Sequence, residues 1–158
     1  MILATHMLVG AAVGSKVHNY WAVAAITIAL HYFLDSLPHW EYHLKHRGEN
    51  ITRKKIISFA VKVVIDFLVG VILVLFFAKN SPSPFLMFFG AIFAILPDGL
   101  VFLYQALKKV FKYEPWILKK HYWFHHSVVH YDINKNPKKL GALIEIIVVL
   151  IAFYFLLF

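Results

Sequence analysis

The chain has 158 residues, is 61% hydrophobic and carries a formal net charge of +8 with histidine neutral. Its mean hydropathy of +0.70 excludes an ordinary soluble domain of this length. The absence of cysteine excludes disulfides and thiolate metal sites, so any metal must be held by His, Asp or Glu, which favours zinc, manganese or iron.

Several apolar runs reach or approach the length needed to cross a bilayer. The expected class is therefore an all-α, polytopic membrane protein of about five transmembrane helices, forming a single domain over residues 1–158. No basic region precedes the first apolar run, so a cleaved signal peptide is not expected.

The first helix is expected from Ile2 to about Ser15, ended by Lys16-Val17-His18-Asn19. Gly10 and Gly14 form a GxxxG pattern that permits close helix contact. His6 falls on the same face and should point into the bundle. The second helix runs from about Tyr20 to Leu37. His31, Asp35 and His39 follow one another at four-residue intervals and share a helical face if Pro38 does not break the pattern early. His31 and Asp35, one turn apart, make a metal-ligand pair. Pro38 should stop the helix.

The third helix starts near Thr52 and reaches Ala78. Lys54, Ser58, Lys62 and Asp66 recur every four residues, which places its first turns at the membrane interface. Lys79 to Pro84 reads as a turn. The fourth helix runs from about Phe85 to Leu107, with an interruption near Pro97. A basic, His-rich connection over 108–139 contains His121, His125 and His126, and a last span covers 140–158.

Five spans alternate sides. The side holding the N-terminus and both long polar stretches carries 14 of the 16 Lys and Arg residues, and the other carries only Lys16 and Lys79. By the positive-inside rule the first side is cytoplasmic, which gives a multi-pass protein of the plasma (inner) membrane.

An internal repeat is expected. Thr5-His6 to Gly10 matches Ile65-Asp66 to Gly70 at an offset of 60, and Leu37-Pro38-His39 matches Leu96-Pro97-Asp98 at an offset of 59. Two helical hairpins, about 1–40 and 60–100, would result. Short Leu/Val/Gly matches also arise by chance in membrane helices. In an antiparallel hairpin His6 should lie near Asp35 and His39, and Asp66 near Asp98. At about 1.5 Å per residue, His6, His31 and Asp66 come out roughly 14–18 Å from the far side, with Glu145, Asp35 and Asp98 roughly 20–23 Å from it. Each intramembrane charge costs about 2.5–3.5 kcal/mol. Convergence on a metal, or on one another through protons, removes much of that cost.

His6, His31, Asp35, Asp66 and Asp98 are thus the expected metal group, with interhelical hydrogen bonding as the structural alternative. His39, beyond Pro38, is either a ligand or an interfacial residue. Glu145 is expected to pair with Lys138, Lys139 or another helix, with membership of the site as the alternative. His121, His125 and His126 could close over the site. They also lie among Tyr113, Trp116, Tyr122, Trp123 and Tyr131, which read as an interfacial aromatic belt.

These motifs resemble the YdjM-like inner-membrane metal-dependent hydrolase family. That family has a Gly-His or Thr-His start, a Leu-Pro-Asp-Ile-Asp-His element and a His-Arg-Gly-Phe-Thr-His-Ser element. Thr5-His6 fits the first. Leu37-Pro38-His39-Trp40-Glu41 fits the second with His39 and Glu41 in place of two aspartates, and Leu96-Pro97-Asp98 keeps the Leu-Pro-Asp form. His121, Phe124, His126 and Ser127 fit the third, with His125 where the family has Thr. The resemblance implies a membrane-embedded metal site and hydrolase activity. A looser likeness, in the helical His-xxx-Asp arrangement, is to zinc-dependent phospholipase C and the single-strand nucleases of its fold.

The leading expectation is a hydrolase of a lipid or lipid-linked phosphoester at the cytoplasmic face. A divalent ion, zinc in first place, would sit on the metal group, with His125 and His39 as further ligand candidates. His126 and His121 would act in acid–base chemistry or add a ligand. Membrane lipids are the expected partners and an anionic lipid the candidate substrate. Nucleic acid is not expected, because topology accounts for the charge. The alternatives are a small metal or proton transporter and a non-catalytic structural membrane subunit.

Overall fold

A computed structural model describes residues 1–39, 53–128 and 138–158. Trp40 and Glu41 of the second motif, the rest of the first basic stretch and residues 129–137 lie outside the described residues. All regular structure among the described residues is helical: α1 (Leu3–Lys16), α2 (Tyr20–Ser36), α3 (Arg53–Ala78), α4 (Pro84–Ala106), a π-helical turn (Leu107–Phe111), α5 (Trp116–Val128) and α6 (Lys138–Leu157). The five expected helices are all present, with ends within two residues of those read from the sequence.

Local chemistry explains most of the boundaries. The Asn19 side chain accepts from Ala22 N at 3.0 Å and starts α2. Leu37 is extended, with φ −82° and ψ 157°, as a residue before proline must be. Pro84 occupies the first turn of α4, where its missing N–H costs nothing. Lys112 adopts a left-handed φ of 53° and ends the π-helical turn.

Two expectations are corrected. α4 is not interrupted near Pro97; it runs unbroken from Pro84 to Ala106 with Pro97 buried inside it. Neighbouring polar groups take up backbone acceptors loosened by a buried proline, and His31 Nδ1 here sits 2.8 Å from Ala94 O. The connection over 108–139 also contains a helix, α5. It lacks a long apolar run, but its four-residue pairs are legible: Lys120 Nζ lies 4.2 Å from the Trp116 ring centroid.

α1 is the central element, with α4, α3, α6 and α2 packed around it. The α1–α4 contact is the closest. A Cβ on Gly10 would strike the Gly90 carbonyl, and a Cβ on Gly90 would strike the Gly10 carbonyl. Two small residues facing each other let the backbones meet. Met7, Ala11, Val74, Ala78, Met87 and Ala91 fill the core beside this seam.

The surface is inverted relative to a soluble protein. Ile65, Leu68, Ile72 and Phe76 on α3 are exposed, as are Leu143, Ile147, Leu150 and Tyr154 on α6, whereas His6, His31, Asp35 and Asp66 are buried. An exposed apolar belt of this size suits a membrane-facing surface. Three helical stretches are long and apolar enough to cross a membrane: Ile57–Ala78, Pro84–Phe111 and Lys139–Leu157. α1 and α2, with 14 and 17 residues, are about 21 and 26 Å long, shorter than a hydrocarbon core of about 30 Å.

Candidate metal centre

Four helices bring their polar residues to one place. α1 supplies His6, α2 supplies His31 and Asp35, α4 supplies Asp98 and α5 supplies His125. His6, His31 and Asp35 are no more than 2% exposed, and His125 is 6% exposed. His6, His31, Asp35 and Asp98 each offer a ligand atom within 4.8 Å of the others, and together could hold a metal ion.

The geometry centres on Asp35. Its Oδ1 lies 3.0 Å from His6 Nε2 and 2.8 Å from the Met1 amine. Its Oδ2 lies 3.4 Å from His31 Nε2 and 3.7 Å from His125 Nε2. Asp98 Oδ1 lies 3.2 Å from His125 Nε2 and 3.9 Å from His31 Nε2. The two imidazoles meet at 3.2 Å, Nε2 to Nε2. The His6 ring packs on the His31 ring with centroids 4.4 Å apart.

These distances fit a small divalent ion. Donors about 2.0–2.1 Å from a tetrahedral centre are separated by about 3.3 Å. His31 Nε2 and His125 Nε2 lie 3.2 Å apart, and each lies 3.2–3.9 Å from Asp35 Oδ2 and Asp98 Oδ1. The tautomer also fits. Hydrogen-bonding to Ala94 O assigns the His31 proton to Nδ1, leaving the Nε2 lone pair facing the carboxylates. His6 Nδ1 is a buried nitrogen with no hydrogen-bond partner.

The other residues singled out by sequence sit elsewhere. Asp66 is buried, but it caps α1: Oδ2 accepts from Leu3 N at 2.6 Å and Oδ1 from Ala4 N at 3.2 Å. Glu145 does the same from α6, its Oε1 accepting from Ile2 N and from Thr5 Oγ1, each at 3.2 Å. Both carboxylates satisfy N–H and O–H groups at the buried start of α1. Asp66 was expected beside Asp98; the two line one cavity, yet Asp66 spends both oxygens on α1.

His39 follows the end of α2, so it leaves the His31–Asp35 face. Its Nδ1 lies 2.7 Å from Leu37 O, and its backbone lies against Gly141 of α6. On α5, His121 and His125 are one turn apart and face α2. His121 Nε2 lies 2.9 Å from the Tyr32 hydroxyl. Burial, and then the neighbouring His125, hold the His121 imidazole below its ordinary pKa, with Asp98 acting in the opposite sense. His126, the residue that fits the family motif, is exposed and stacks on Tyr122 with centroids 4.2 Å apart. His125, which stands where that family has Thr, takes the inward position.

Sequence reasoning missed Tyr32 and the Ala94 carbonyl. A tyrosine next to a candidate ligand was a signal for the first; a backbone acceptor leaves none. No protein-family model, curated protein or solved structure matches the chain.

Proposed function

We propose that this chain is a membrane-embedded, metal-dependent hydrolase of a lipid or lipid-linked phosphoester. The observation that carries the reading is the convergence of His6, His31, Asp35 and Asp98, whose donor atoms lie within 4.8 Å of one another, with His125 Nε2 3.2 Å from both His31 Nε2 and Asp98 Oδ1. Zinc suits an all-His/Asp site at these separations. The quoted motifs, with their resemblance to the YdjM-like family, support the same reading.

His6, His31, Asp35, Asp98 and His125 would hold the ion. When bound, it supplies a lowered pKa for water and offsets negative charge on phosphoryl oxygens. The chain's own residues do the rest. Asp35 and Asp98 fix the two imidazoles, and Ala94 O fixes the tautomer of His31. His121, hydrogen-bonded to Tyr32, would serve as the acid–base group and take the proton from the attacking water. The water oxygen bonds to phosphorus as the P–O ester bond breaks. The electron pair leaves on the alcohol oxygen, which receives the proton back from His121.

The five-span topology, the two-hairpin repeat and the cytoplasmic position of the site belong to this proposal. The 14-to-2 distribution of Lys and Arg supports the orientation. The concentration of the charged residues on one side of the chain's expected topology, with only Lys16, His18 and Lys79 on the other, favours hydrolysis over transport.

The test is elemental analysis of purified protein together with phosphate release from phosphatidic acid in mixed micelles. About one equivalent of zinc, and turnover abolished by a chelator and restored by zinc, is the expected result. Protein free of divalent metal after purification in zinc-supplemented buffer would overturn the reading.

A further inference from the structure

The metal centre is closed on most sides but meets a cavity of about 470 Å³ between α3 and α4. Phe59, Val63 and Phe67 line it from α3, and Ile95, Gly99 and Phe102 from α4. These spacings place each trio on one helical stripe. Asp35, Asp66, Asp98 and His125 also line it. The side chain of Asp98 is 29% exposed while that of Asp35 is 3% exposed, so Asp98 is the more accessible of these two cavity-lining carboxylates.

Both walls belong to membrane-length segments, Ile57–Ala78 and Pro84–Phe111. A space between two such segments lies where acyl chains would be if both cross a bilayer. At Gly99 an added Cβ would meet nothing within 4 Å, so the helices stand apart at that level. A cavity with apolar walls and a few charged groups selects a ligand with an apolar body and a polar group.

We propose that the substrate is an amphiphile whose hydrocarbon chain enters sideways from the bilayer between α3 and α4, placing its phosphoester against Asp98 and His125. This rests on the hydrolase reading above and names its substrate class. A second apolar cavity, of about 570 Å³, is lined by Leu30 and Phe33 of α2 and Ile147 and Ile151 of α6. It carries none of the metal-centre donors and serves as an internal control.

The test is photo-crosslinking of the full chain in lipid nanodiscs. The probe is phosphatidic acid with a diazirine in one acyl chain, and the control is diacylglycerol with the same labelled chain. Peptide mapping should place phosphatidic acid adducts within residues 59–67 and 95–102, at least fivefold above the phosphate-free control. Adducts along the α2–α6 cavity should be equal for the two probes. Gly99→Leu, which fills the open space, should cut the α3–α4 adducts at least fivefold without altering those at α2–α6. Equal labelling by both probes at α3–α4 would overturn the proposal on the wild-type chain alone, as would adducts indifferent to Gly99→Leu. Metal content separates the two ideas. Phosphate-dependent labelling in a chain that binds no metal removes the hydrolase and keeps the chain site; a metal-loaded chain labelled uniformly removes the chain site and keeps the metal.

Discussion

His31 Nε2 and His125 Nε2 lie 3.2 Å apart although the residues are separated by 94 positions in the chain. With its proton on Nδ1, His31 presents a bare lone pair to a second imidazole and two carboxylates. Such a pair requires a shared proton or a cation between its members. The flanking carboxylates favour positive charge there, since a buried negative charge is costly unless it is compensated.

The pairing of these two histidines assigns the inward role on α5 to His125. His125→Asn should therefore lower zinc affinity by at least about tenfold, the scale on which even supporting groups act. His126→Asn should leave it within about twofold, because that ring is exposed. Competition against a chromogenic chelator measures both. The reverse order would restore the register of the family motif.

Removing the metal should also lower thermal stability. At free zinc about a hundred times its Kd, binding contributes about 2.7 kcal/mol to the folded state. Chelator-treated protein should melt several degrees lower by nanoscale fluorimetry, and added zinc should restore the value. In Asp35→Ala the zinc-dependent rise should vanish.

Asp66 should behave as a structural residue. Its two oxygens satisfy Leu3 N and Ala4 N, and leaving such buried donors unpaired costs about 1–3 kcal/mol. Asp66→Ala should lose that much stability in detergent and still bind zinc once folded. Asp98→Ala should lose zinc instead. Metal content measured beside the melting temperature separates the two carboxylates.

The α1–α4 seam sets a steric limit. Gly10→Ala drives a Cβ into the Gly90 carbonyl, and overpacking of a tight contact costs about 1–3 kcal/mol. Gly99→Ala, into open space, should cost little by comparison. Thermal unfolding of the two variants compares a buried seam with an open cavity on the same chain.

Acid should loosen the junction between α4 and α5. Glu114 accepts from the Tyr104 hydroxyl at 2.8 Å and pairs with Lys108 at 3.3 Å and Lys119 at 3.6 Å. The Tyr104 hydrogen bond, and then that of Lys108, hold its carboxyl below the ordinary value near 4.5. The folded state therefore binds this proton less readily than the unfolded one. The contribution is present above about pH 4.5 and is lost as pH falls through the lowered value. Melting temperature against pH should show this slope in the wild type and a shallower one in Glu114→Gln.

Amino-acid order determined much of this molecule. Apolar run length set α3, α4 and α6, since a stretch that long and apolar can satisfy its backbone in hydrocarbon only as a helix. Pro38 and Asn19 marked the ends of α2, because their effects are confined to neighbouring residues. The His31–Asp35 pair was legible from a single turn of helix, and the cost of intramembrane charge flagged His6, Asp66, Asp98 and Glu145 together. Only tertiary structure divided that list. Asp66 and Glu145 spend their oxygens on the buried start of α1, while Asp98 turns to His125. That choice depends on which helix end lies opposite each carboxylate, a relation between separate helices that no local spacing encodes. The rotation of α5 that brings in His125 and leaves His126 exposed has the same origin: adjacent residues on a helix point about 100° apart, and the packing of α5 on α2 and α4 selects between them.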